Sequence, residues 1–175
     1  LLQEFPHSHL TEGTRRLLAM VAEDAGDLEG ALEHYIALDY QYDVAYFLDV
    51  LLTPEQLAHF IDRHPKLANR DVYVYSLGLR YLRNEQWEQA RTQFAKLQAV
   101  NCKIGDHWSF GDAKPSNPKW GERTAEANGG VCAEWVLRDV KTANDLERLE
   151  QQISFAQGDE AKAEAMYQFA SYQFE

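Results

Sequence analysis

This sequence of 175 residues predicts an all-α protein. Three observations carry that expectation. Apolar residues recur at spacings of three and four along most of the chain, the period of a helix face and not of a strand. The segments so marked are joined by short turns that hold helix stop and start signals, Gly26-Asp27 and Thr53-Pro54 foremost. The composition, 45% apolar and 26% charged, is that of a folded chain long enough for one core or one continuous stack of helices.

The elements follow in order. Leu17, Leu18, Val21 and Ala22 mark one face of a first helix, which Gly26 ends because glycine accepts the left-handed turn. Asp27 then caps a second helix carrying Leu28, Ala31, Leu32, Tyr35, Ile36 and Leu38. Two helices joined by so short a turn must lie antiparallel. A third helix is expected over about residues 41–52. Thr53-Pro54-Glu55-Gln56 starts a fourth: threonine caps, proline suits the first helical position, and Gln56 completes a capping box. Leu57, Phe60 and Ile61 form its buried face, and His64-Pro65 closes it.

A second strong hairpin spans about residues 70–100. Val74, Leu77, Gly78 and Tyr81 line its first helix, and Trp87, Ala90, Phe94 and Leu97 line its second, across a turn at Asn84-Glu85. Residues 101–121 break the pattern. Gly105, Gly111, Pro115, Pro118 and Gly121 stand there among Trp108, Phe110 and Trp120, so the stretch is expected to be one long aromatic loop. Helical spacing returns over roughly 122–139, with Val131, Trp135, Val136 and Val140 on one face. Thr142, followed by Asp145, is expected to start a further helix through Leu146, Leu149 and Ile153. Gly158-Asp159 turns into a last helix with Ala163, Tyr167, Ala170 and Phe174 on one side. The opening residues 1–6 read as the end of a helix and the closing residues 172–175 as the middle of one. The expectation is a single helical segment over 1–175, excised from a longer protein.

Charge and cysteine usage narrow the function. The net charge of −11 argues against a nucleic-acid backbone as partner. Between Leu17 and Asp62 there are ten acids and no lysine or arginine, whereas Arg63 to Lys103 holds eight basic residues against three acids. Either the acidic half attracts a basic partner, or each layer of helices neutralises the next. No apolar run approaches the roughly 20 residues needed to cross a bilayer. Cys102 and Cys132 stand 30 apart, without the CxxC spacing of a zinc or redox site, and the question of a bond between them stays open.

Two of the hairpins resemble the tetratricopeptide repeat, a helix–turn–helix of about 34 residues. Leu18-Ala19, Ala22, Gly26-Asp27, Ala31, Tyr35 and Leu38 fit one copy. Leu77-Gly78, Tyr81, Trp87, Ala90, Phe94 and Leu97 fit a second: Gly78 and Ala90 let the helices approach, and Tyr81 and Phe94 fill the space beside them. Gly158-Asp159 with Ala163, Tyr167 and Ala170 resembles the second half of a third. Phe5-Pro6-His7-Ser8 is similar to the link between repeats in bacterial envelope members of the family, which leans the expectation towards the periplasm. Ala31 and Ala90 are 59 apart, not a multiple of the repeat, so helices 41–64 are a divergent insertion. The resemblance implies an irregular right-handed superhelix of about nine helices.

The resemblance also implies a role. Members of this family present a concave groove, lined by the first helix of each repeat, to a peptide or helix of a protein partner. On this chain the pattern puts Arg16, Met20, Glu23 and Asp24 on that side of the first repeat, and Val72, Tyr75, Leu79, Leu82 and Arg83 on that side of the second. Arg16, Tyr75 and Arg83 are the least core-like of these. The Lys/Asn arrangement that grips a C-terminal carboxylate in chaperone-binding members is absent, since Met20 holds a needed polar place. Nothing points to catalysis, a cofactor or a metal: the chain has no GxSxG, no phosphate-cradling glycine loop and no HExxH. The expectation is a non-catalytic interaction scaffold. The alternative is an accessory helical domain of an envelope enzyme or glycan-binding system, with Trp108, Phe110 and Trp120 as the stacking surface.

Overall fold

The computed structural model describes the backbone of residues 10–98 and 131–174 and the side chains of residues 10–97 and 135–173. Helix is the only regular structure among them. In chain order these are α1 (Thr11–Asp24), α2 (Leu28–Ala37), α3 (Gln41–Tyr46), α4 (Pro54–Arg63), α5 (Arg70–Arg83), α6 (Trp87–Gln98), α7 (Val131–Phe155) and α8 (Asp159–Phe174). A single π-helical turn, Phe47–Leu51, continues α3.

The turns form for the reasons their residues give. Gly26 adopts φ 78°, and Asp27 accepts a hydrogen bond from Gly30 N at 3.0 Å, so α1 stops and α2 starts within three residues. At α4 the capping box is complete: Gln56 N donates to Thr53 Oγ1 at 3.2 Å, and Thr53 N donates to Gln56 Oε1 at 2.9 Å. The expected third helix departs from the α pattern in its last turn, where Leu52 N–H donates to Phe47 O instead of Leu48 O. Arg80 of α5 holds that turn. Its guanidinium donates to the carbonyls of Asp49 and of Leu52, the latter at 2.8 Å.

Each helix packs chiefly on its neighbours in sequence, so the core is a continuous strip. Phe47, Phe60, Phe94, Leu32, Leu52, Leu57 and Val136 are fully buried along it. Each contributes on the order of 1.5–3 kcal/mol by leaving water. The tightest joint is α5 on α6. A Cβ at Gly78 would lie 2.8 Å from Phe94 Cδ1 and closer still to Cε1, so Phe94 rests on bare backbone. Trp87 Nε1 donates to Glu150 at 2.8 Å, and Arg91 pairs with Glu147 at 2.7 Å, which ties α6 to α7.

Three expectations are corrected. Leu17, Leu18 and Val21 do not form the buried face of α1. They are 64%, 40% and 63% exposed, while Ala19 and Ala22 face α2. Small residues win that contact because they let the helix backbones approach closely. On α8 the buried residue is Ala165, with Phe169 and Tyr172 half-buried, whereas Ala163, Ala170 and Tyr167 (70% exposed) face outward. Both helices carry apolar residues on two faces, so period alone does not choose between them. Finally, Thr142 starts no helix: α7 runs unbroken through it. No glycine or proline interrupts the stretch from Val131 to Phe155, and Asp145 is held by Lys141 one turn before it rather than acting in a capping box.

Candidate partner-binding surface

α5 packs on the π turn rather than on the body of α3, so the two helices diverge and leave a trough between them. Two stripes of side chains spaced four apart wall it. Tyr42, Tyr46 and Val50 come from α3 and the π turn, and Tyr75, Leu79 and Arg83 come from α5. Trp135 of α7, Ala45 and Asp49 complete the lining, and the volume is about 530 Å³. Spacing of four keeps a helix row on one face, which is why each stripe faces the other. Tyr42, Tyr46 and Val50 are 62%, 53% and 51% exposed, an apolar and aromatic wall presented to solvent. Arg83 crosses the trough to pair with the Asp49 carboxylate.

The expected groove residues divide between three places. Leu79 and Arg83 line the trough. Tyr75 lines it too, but as a core residue, 5% exposed, and this corrects the expectation that it stands clear of the core. Its hydroxyl donates to Asp139 Oδ2 at 2.5 Å, while Arg138 Nε donates to the other oxygen of that buried carboxylate at 3.1 Å. Burial first, then the bond to Asp139, push the Tyr75 phenol well above its ordinary range. Val72 lies at a separate cavity beside Val44 and Leu48. Arg16, Met20, Glu23 and Asp24 stand on α1, exposed and outside the trough lining. Glu23 accepts from Tyr35 Oη at 3.0 Å, and burial together with that bond pushes Tyr35 up to about 12.

Three acids of the acidic half are answered by side chains of later helices. Glu29 meets His59 at 2.8 Å and Arg63 at 3.1 Å, Glu33 meets His64 at 3.1 Å, and Asp49 meets Arg83. Of the two readings of the charge asymmetry, neutralisation between layers thus accounts for these three acids. The stripe Tyr42-Tyr46-Val50 escapes a repeat-based reading because it lies in the divergent insertion. Its spacing of four is the signal that finds it.

Trp108, Phe110 and Trp120 lie outside the described residues, as does the Cys102–Cys132 question. Among the described residues no group of three or more His, Cys, Asp or Glu is placed to hold a metal ion, and no helix is long and apolar enough to cross a membrane. No protein-family model, no curated protein and no solved structure matches this chain.

Proposed function

We propose that this chain is a non-catalytic interaction module that takes an amphipathic helix or peptide of a protein partner in the trough between α3 and α5. The observation that supports it is the pair of facing stripes. Tyr42, Tyr46 and Val50 present large apolar surface to solvent along one wall of the trough, opposite Leu79 and Arg83. Exposed aromatic surface lining a concavity is the usual mark of a partner site. A helix laid in the trough meets both stripes with residues at its own spacings of three and four. Rigid aromatics bind with little loss of side-chain freedom, so they suit the anchoring role.

We further propose that the hairpins stack as an irregular right-handed superhelix of tetratricopeptide type. Its support is the order of the elements, with short-turned hairpins α1–α2 and α5–α6 separated by α3, the π turn and α4, and the close approach of Phe94 to Gly78. The trough then runs along α5, the first helix of the second hairpin, and the first helices are where such modules hold peptides.

A photo-crosslinking amino acid at position 46, with one at the still more exposed position 167 as control, tests the site in cells that make the protein. The proposed role requires a discrete partner adduct from position 46 that Leu79→Glu removes. Adducts equal at both positions, or unchanged by Leu79→Glu, would contradict it.

A further inference from the structure

A second concavity, of about 190 Å³, opens on the other side of Ala45, between α2, α3 and the start of α5. Its floor is apolar, from Val44, Leu48 and Val72 among others. A cavity of roughly 150 Å³ admits a molecule the size of benzene, so one ring or one short branched chain fits. Three features set it apart from a packing gap. Tyr73 lines it and is only 6% exposed, so it brings one polar group to an otherwise apolar wall. Burial alone pushes that phenol up to about 12, so it stays a neutral donor and acceptor at any physiological pH. Asp39 and Asn69, at its lip, both hold the left-handed conformation, with φ 56° and 54°, which non-glycine residues seldom adopt and which gathers at binding sites. Asp39 is also the one charged residue of the lining and has no ion pair among the described residues.

The sign of the charge decides the ligand. The wall from Ile36 to Leu48 belongs to the stretch with no lysine or arginine, so α2 and α3 supply no cation to neutralise Asp39. We infer that this cavity binds a compact organic cation, an ammonium or guanidinium on a short apolar body, with the body on Val44, Leu48 and Val72, the cation at Asp39 and a polar contact at Tyr73. The same chemistry comes from a free amine or from a basic side chain of a bound protein. The inference does not rest on the trough, which lies beyond Ala45.

Three probes that share one phenyl ring test it by titration of the full chain, followed by NMR: benzylamine, benzyl alcohol and benzoate. Benzylamine is expected to saturate the site and to bind about three- to fivefold tighter than benzyl alcohol, the worth of one exposed ion pair, with benzoate weakest. Asp39→Asn, which keeps a residue tolerant of the left-handed conformation, is expected to erase the advantage of the amine and leave the alcohol unchanged. Val72→Phe, which fills the cavity, is expected to weaken both. Nα-acetyl-lysine methylamide separates the sources: binding at least as tight as benzylamine assigns the site to a protein side chain, and weaker binding assigns it to a free amine. No saturable binding by any probe, equal binding of benzylamine and benzyl alcohol, or an amine preference that survives Asp39→Asn would overturn the inference.

Discussion

Gly78 is the residue where helix propensity and packing oppose each other. Alanine there gains about 1 kcal/mol of helix propensity but drives a methyl into the Phe94 ring, an overpacking cost of roughly 1–3 kcal/mol. Packing wins, so Gly78→Ala is expected to lower stability in urea unfolding, and Phe94→Leu added to it to recover part of the loss. Tyr75 is the second such point. Tyr75→Phe leaves Asp139 buried with Arg138 as its remaining partner and is expected to lose about 1–3 kcal/mol. The tyrosines also set the alkaline limit. Tyr35 and Tyr73 are pushed up to about 12 from an ordinary value of 10.0, and Tyr75 is raised further. A raised pKa contributes stability that is whole below pH 10 and lost as pH climbs through 12. Phenolate absorbance is therefore expected to show a delayed group of tyrosines ionising together with unfolding, and ionisation of all of them in the ordinary range would contradict the burial described.

At the scale of the element, the legible features are those whose cause is local. The Asp27 cap, the Thr53-Gln56 box and the stop at Gly26 need only residues a turn apart, and the structure holds each of them. Faces are legible where one side of a helix is apolar, as with Trp87, Ala90, Phe94 and Leu97 of α6. They are not legible on α1 and α8, where both sides are. The π turn escapes because Arg80, 31 residues from Asp49, sustains it. The break expected at Thr142 escapes for the reverse reason, since Asp145 is engaged along the helix and across to α8. It accepts from Lys141 and from Tyr172, both at 3.0 Å, and these bonds hold its carboxyl below the usual carboxylate range. A depressed pKa contributes stability that is present above the ordinary value and lost as pH falls through the folded one. Docking of α8 on α7 is thus expected to loosen in acid. Asp145→Asn is expected to reduce hydrogen-exchange protection of α8 at neutral pH, and unchanged protection would remove that role from Asp145.

For the whole molecule, sequence pattern yields the all-α class and half of the trough. Leu79 and Arg83 are found because the resemblance assigns them a side; Tyr42, Tyr46 and Val50 are missed because the same resemblance sets their helix aside as an insertion. α1 contributes its residues elsewhere, since Arg16, Met20 and Asp24 face solvent away from the trough. In a helical stack built chiefly from contacts between helices adjacent in sequence, residue pattern alone does not fix which surface is concave, and so the site emerges only when α3 and α5 are seen to diverge. The direct measurement is a selection of helical peptides on the wild-type chain, followed by affinities on Tyr46→Ala, Leu79→Glu and, as control, Tyr167→Ala. A trough that binds partners requires enriched peptides that lose about tenfold or more on Tyr46→Ala and Leu79→Glu, as buried anchors do, and keep their affinity on Tyr167→Ala. No enrichment, or peptides indifferent to both trough substitutions in folded protein, would contradict it.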